Sequence, residues 1–187
     1  MKAELDPIVR FLRGSAGNFL YRKINGKTIV SPRPDRSNSV PTESQAVHRE
    51  RFKEAARYVR KALANAEARA LYKSLAKERD MPLVAVTMSD FFNAPVIHEV
   101  DVFGYSGNAG DTITVTASDD VGVQKVHVSI SAPDGSPIEN GEAVETGAGS
   151  GEWIYTATVQ GQPLVRIQAV AQDRPGGTAM LNVDKTF

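Results

Sequence analysis

The sequence predicts an α+β chain of two domains: an N-terminal β-hairpin with helices over residues 1–95, and a C-terminal seven-stranded β-sandwich over residues 96–187. Three observations carry this reading. Apolar residues recur at spacings of three and four between Thr42 and Leu75, the period of a helix face. From Ile97 onward the pattern changes to short runs that alternate apolar and polar residues, punctuated by Gly, Pro and Asp, as half-buried strands require. Charge changes sign near the same place: residues 1–81 carry 18 Lys and Arg against 9 Asp and Glu, and residues 82–187 carry 4 against 13. The formal net charge of zero is thus a +9 half joined to a −9 half.

The elements follow in order. Asp6-Pro7 can open a short helix, because Pro is tolerated at the first helical position. Gly14-Ser15-Ala16-Gly17-Asn18 is then expected to break any regular element. Phe19 to Ile24 and Lys27 to Ser31 are strand-like runs joined by Asn25-Gly26, which supplies the positive φ angles of a two-residue hairpin turn. Pro32, Pro34 and Pro41 enforce an extended linker. Thr42-Glu43-Ser44-Gln45 matches a capping box, and the helix it starts has Phe52, Ala55, Ala56, Val59 and Leu63 on its apolar face. Asn65 caps a second helix with Ala68, Leu71, Tyr72 and Leu75 facing inward. Pro82 opens a third through Phe92, against the local strand preference of Val84, Val86 and Thr87, and Pro95 closes the region. Seven strands are expected at 97–103, 112–117, 123–131, 138–144, 153–159, 164–171 and 178–183, with Trp153 packed between the sheets.

Composition excludes several classes of function. There is no cysteine, hence no disulfide framework, thiolate metal site or cysteine nucleophile. No apolar run approaches the roughly 18 residues of a membrane-spanning helix. Met1 to Pro7 lead into no hydrophobic segment, so synthesis in the cytoplasm without an ordinary signal peptide is expected, with a particle or an extracellular filament as candidate destinations.

The second half resembles a known module. The run from Gly110-Asp111-Thr112-Ile113 to Asp119-Asp120-Val121-Gly122-Val123 is similar to the second-to-third strand segment of bacterial immunoglobulin-like domains. Trp153-Ile154-Tyr155-Thr156-Ala157 resembles their central strand, and Val170 to Ala179, with Asp173 before a Gly-rich turn, resembles their closing hairpin. This likeness covers about residues 97–185 and implies an immunoglobulin-like sandwich. The whole chain is also similar to a bacterial family of unknown function with a basic hairpin, a helical segment and such a sandwich. Modules of this kind serve in surface proteins and in phage or fibre-like particles as spacers, decorations or binding surfaces, which the resemblance implies here.

Candidate chemistry is sparse. His48, His98 and His127 form no metal-ligand spacing. Gly147-Ala148-Gly149-Ser150-Gly151 lies between strands, so it is a hairpin loop and not a nucleophile elbow. Gly14-Ser15-Ala16-Gly17 lacks the ending of a phosphate loop. Asp119, Asp120 and Asp173 share one pole of an immunoglobulin-like topology, where they either bind calcium or organise their own turns with Arg174 as a counter-charge. A basic patch is formed by Arg22, Lys23 and Lys27 on the hairpin, Arg33 and Arg36 after it, and Arg49, Lys53, Arg57 and Lys61 along the first helix. Such a ribbon and stripe hold phosphates, meet the acidic half of another copy, attract the acidic half of the same chain, or stay solvated.

Apolar residues of the arm and hairpin decide between these readings. Phe11, Leu12, Phe19, Leu20, Tyr21 and Ile24 have little chain nearby to cover them, and an isolated hairpin is marginal in water. The sequence therefore points to a non-enzymatic structural or assembly protein whose partners are other copies of itself. A nucleic-acid-binding protein using the basic half is the first alternative, and a surface adhesin or carbohydrate-binding module the second. No cofactor is expected, and no convergent acid, base and nucleophile can be named.

Overall fold

A computed structural model describes residues 13–24, 27–34, 40–161 and 163–187. The chain divides into two compact units, Met1–Val47 and His48–Phe187, with the division falling inside the first helix. The change of hydrophobic period at residue 95 lies within the second unit, where helices and sandwich pack together.

The first unit holds a three-stranded antiparallel sheet in the order β1 (Gly14–Ala16), β2 (Phe19–Ile24), β3 (Lys27–Pro32). Ile24 registers with Lys27 where β2 and β3 pair; the expected Asn25-Gly26 turn lies outside the described residues. The expectation that residues 14–18 break all regular structure is corrected. Gly14–Ala16 pairs with Tyr21, Leu20 and Phe19, and Gly17-Asn18 is a two-residue turn with Gly17 at φ +56°. The glycine expected to end structure instead folds the chain back on itself. No described residue from 13 to 34 is buried.

At the end of the first unit, the capping box that starts α1 (Glu43–Ala64) is formed: Gln45 N–H donates to Thr42 Oγ1 at 3.3 Å, and Thr42 N–H donates to Gln45 Oε1 at 3.3 Å. Asn65 caps α2 (Ala66–Glu78) by accepting from Ala68 N–H at 2.9 Å, and Asp80, at φ +49°, turns the chain out of it. The third element is helical, α3 (Leu83–Phe92), because Val86, Thr87 and Asp90 are buried one turn apart while Thr87 Oγ1 donates to the Leu83 carbonyl at 2.9 Å. The helices pack through small residues: Ala62, Ala68 and Ala76 are buried around Tyr72 and Val86, with Leu63, Leu75 and Val121 at the margin. Phe52, expected on the inner face of α1, is 55% exposed, because the buried stripe begins only at Ala55.

The remaining strands are β4 (Val96–Asp101), β5 (Thr112–Ser118), β6 (Lys125–Ser131), β7 (Pro137–Glu145), β8 (Glu152–Thr156), β9 (Leu164–Gln172) and β10 (Thr178–Thr186). They form one antiparallel sheet in the order β10-β9-β6-β7-β8-β5-β4. β7 turns the corner: its first part pairs with β6, whereas Val144 and Glu145 pair with β8. The sheet therefore folds into a sandwich- or barrel-like pair of layers, with Ile113, Val115, Trp153 and Tyr155 facing Val126, Val128, Ile130, Val165 and Ile167 across the core. Strict alternation of buried and less buried residues along β5, β6 and β9 follows from the two-residue period of a strand.

Candidate functional site

The hairpin residues expected to make contacts are presented as alternation dictates. On one face of the β2–β3 ribbon stand Leu20, Arg22 and Ile24, opposite Ser31, Ile29 and Lys27; on the other stand Phe19, Tyr21 and Lys23, opposite Pro32, Val30 and Thr28. Phe19, Ile24 and Ile29 expose 51%, 49% and 46% of their surface, while Leu20 and Tyr21 are half-buried. Arg13, Tyr21, Arg22, Lys23 and Ile24 line a shallow cleft of about 510 Å³. Arg33 is exposed beside the sheet, and its N–H donates to the Asn18 carbonyl at 2.7 Å. Phe11, Leu12 and Arg36 lie outside the described residues.

Along α1 the basic stripe is partly neutralised. Glu50 pairs with Lys53 at 2.8 Å and with Arg57 at 3.9 Å, and both cations hold the Glu50 carboxyl below its ordinary range, Lys53 first by its hydrogen bond. Arg49 and Lys61 have no ion pair among the described residues. Residues 43–54 are exposed on every side, so the first three turns of α1 cover no core. Arg51 lies over the Phe92 ring at 5.4 Å and donates to the Phe92 carbonyl at 3.4 Å.

A polar junction joins the helices to one pole of the sandwich. Tyr72 donates to Asp90 Oδ2, and the Tyr58 hydroxyl lies 2.5 Å from the Tyr72 oxygen and 3.2 Å from the same carboxylate. Burial pushes the Asp90 carboxyl up to about 6; the tyrosine hydrogen bonds oppose that shift, and the negative charges of Asp119 and Asp173 add to it. Burial also pushes Tyr58 up to about 12.

Asp119 and Asp173 take the turn-organising role. Asp119 Oδ2 accepts from Val121 and Gly122 N–H at 2.9 and 3.0 Å, and Asp173 Oδ1 accepts from Gly176 and Gly177 N–H at 2.7 and 2.5 Å. Asp120 ties the pole to the helices, its carbonyl accepting from Arg79 and its carboxylate from Asn93. Among the described residues, no three His, Asp or Glu side chains group as metal ligands. Arg174 lies close enough to oppose the upward shift of Tyr58 but pairs with no carboxylate among the described residues.

Beside this junction a cleft of about 660 Å³ opens between the β5–β6 and β7–β8 loops, lined by His98, Ser118, Glu145, Ser150 and Arg174 among others. His98 sits at a bulge in β4, and its Nε2 is 2.6 Å from Ser118 Oγ. Sequence spacing could not reveal this pair, since the residues meet only through the β4–β5 register. His48 is exposed on α1, and His127 stands opposite Glu142 on β7. No protein-family model matches this chain, and no curated protein matches it.

Proposed function

We propose that this chain is a non-enzymatic structural subunit that self-associates through its N-terminal arm and hairpin, as a filament, fibre or phage-like particle does, and displays an immunoglobulin-like domain. One observation carries the reading: the N-terminal unit contains an ordered three-stranded sheet without a single buried residue among those described. A small sheet is independently stable only when an apolar face is covered. Phe19, Ile24 and Ile29 are the side chains awaiting that cover. The exposed first turns of α1, on the order of 18 Å of helix at 1.5 Å per residue, support the same reading. The immunoglobulin-like assignment is supported by strand order. The first, second and fifth sandwich strands (β4, β5, β8) share one layer, the third, sixth and seventh (β6, β9, β10) share the other, and the fourth bridges them.

Light scattering of the full chain over a range of concentration, with electron microscopy at low and high salt, tests this. Assemblies are expected. The triple variant Phe19→Ser, Tyr21→Ser, Ile24→Ser should lose them while Trp153 fluorescence and the β-sheet circular dichroism stay unchanged. An unchanged particle mass in that variant would refute the proposal.

A second reading, nucleic-acid binding, is favoured by Arg13, Arg22 and Lys23, which border one shallow cleft together with Tyr21. Salt separates the two. Binding through six or more phosphates falls by about 10³-fold between 50 and 200 mM salt, whereas contact through apolar side chains weakens only modestly.

A further inference from the structure

Self-association needs a surface that receives the hairpin sheet, and the outer face of β4, β5 and β8 has the matching chemistry. Alternation turns Val100, Val115 and Trp153 into the core and leaves Glu99, Thr116 and Glu152 facing outward in one row. Glu99 and Glu152 both register with Thr116, so they stand two strand spacings, about 10 Å, apart. β4, β5, β7 and β8 contain no Lys or Arg. The four basic residues of 82–187 are elsewhere: Lys125 on β6, Arg166 on β9, Lys185 on β10 and Arg174 in the β9–β10 loop. The acidic row is flanked by exposed apolar side chains: Val144, 73% exposed, pairs with Ile154, and Val96 is 52% exposed.

The hairpin carries the complementary pattern. β1, β2 and β3 contain no Asp or Glu. On one face, Arg22 and Lys27 lie diagonally across neighbouring strands, roughly 7–8 Å apart. Leu20, Ile24 and Ile29 surround them. Two cations among aliphatics thus oppose two carboxylates among aliphatics in sign, and the long, flexible Arg and Lys side chains span the difference of about 2–3 Å between the two spacings.

We infer that the β4–β5–β8 face of one copy docks the Leu20, Arg22, Ile24, Lys27 face of the next, an inference that rests on the self-association proposed above. The two surfaces differ, so the contact is head-to-tail, and it propagates as a filament unless its rotation closes a ring.

The test uses two full-length variants, an acceptor Glu99→Lys with Glu152→Lys and a donor Arg22→Glu with Lys27→Glu, followed by sedimentation velocity over a concentration series. Each variant alone should self-associate at least roughly tenfold more weakly than wild type, because like charges then face each other. Mixing the two variants should restore assembly, since contacts between the two reversed surfaces again join opposite signs. An acceptor variant that assembles as tightly as wild type, or a mixture that stays monomeric, overturns the inference while leaving self-association intact. A wild-type protein that is monomeric throughout overturns both. Should the acceptor variant misfold, Glu99→Gln with Glu152→Gln replaces it: weakened assembly supports the contact, and unchanged assembly overturns it.

Discussion

Asp90→Asn is expected to match the wild type in stability at pH 4 and to exceed it above pH 6.5. Asp90 is fully buried on α3. Tyr72 and Tyr58 address its Oδ2, while Oδ1 has no partner among the described residues. Burial is the main reason its pKa rises from 3.8 to about 6, with Asp119 and Asp173 adding to the rise. A folded pKa above the unfolded one means that the folded state binds the proton more tightly. The stability conferred by the neutral carboxyl is therefore complete below about pH 4 and is lost as pH climbs through 6. A rise of that size corresponds to about 3 kcal/mol, which partial solvation of the junction reduces to about 2 kcal/mol. Asn cannot ionise, and it keeps an oxygen for Tyr72. The unfolding free energy of the variant minus that of wild type should therefore grow by about 2 kcal/mol between pH 4 and 8. Urea titrations followed by Trp153 fluorescence at half-unit pH steps measure this directly. A difference that stays flat with pH would refute the reasoning, because the ionised carboxylate would then be solvated or paired with Arg174.

Three further outcomes follow from local geometry. Gly151→Ala meets two obstacles, since Gly151 has φ +72° and a Cβ there would stand 2.7 Å from the Ala117 carbonyl oxygen; a loss of about 3 kcal/mol is expected in chemical denaturation, and a loss under about 0.5 kcal/mol would contradict it. Thr42→Ala removes the capping box at a local cost of about 1 kcal/mol. Because residues 43–54 cover no core, that cost should appear as faster amide exchange in the first turns of α1 with little change in the global midpoint, and unchanged exchange would contradict it. Ile167→Ala, at a fully buried core position, should cost about 2–5 kcal/mol, and a shift in urea midpoint equivalent to less than about 1 kcal/mol would mean the layers close over the cavity.

Features that depend on near neighbours are legible in the sequence. The Thr42–Gln45 spacing, Asn65 before an alanine-rich run, and the alternation from Thr112 to Ala117 each prescribe a local conformation, and each is present. β1 is not legible in the same way, because Gly17-Asn18 reads equally as a breaker and as a hairpin turn until its pairing partner is known. Apolar spacing points to Phe52 and Leu71 as inner residues of α1 and α2. The helices instead approach through Ala62, Ala68 and Ala76, whose small size permits contact that large side chains would block. The junction has no local signature at all. Tyr58, Tyr72 and Asp90 come from three helices and meet only after those helices pack.

The charge split shows how topology turns a count into an arrangement. Counting 18 cations against 9 anions in one segment and 4 against 13 in the other leaves nucleic acid, a second copy and the same chain as equal partners. Strand alternation and register add direction: Arg22 and Lys27 share a face with aliphatics, and Glu99 and Glu152 share a face free of cations. Exposed ion pairs contribute only about 0–1 kcal/mol each, so in the proposed contact charge selects the orientation and Leu20, Ile24 and Ile29 supply most of the affinity. Raising salt should therefore slow the association of copies more than it weakens the finished assembly, since screening acts on the approach of exposed charges and leaves apolar burial largely intact. Stopped-flow light scattering at low and high salt, set beside the equilibrium particle mass, measures both effects, and an assembly that dissolves as steeply as its association slows would contradict this division of roles.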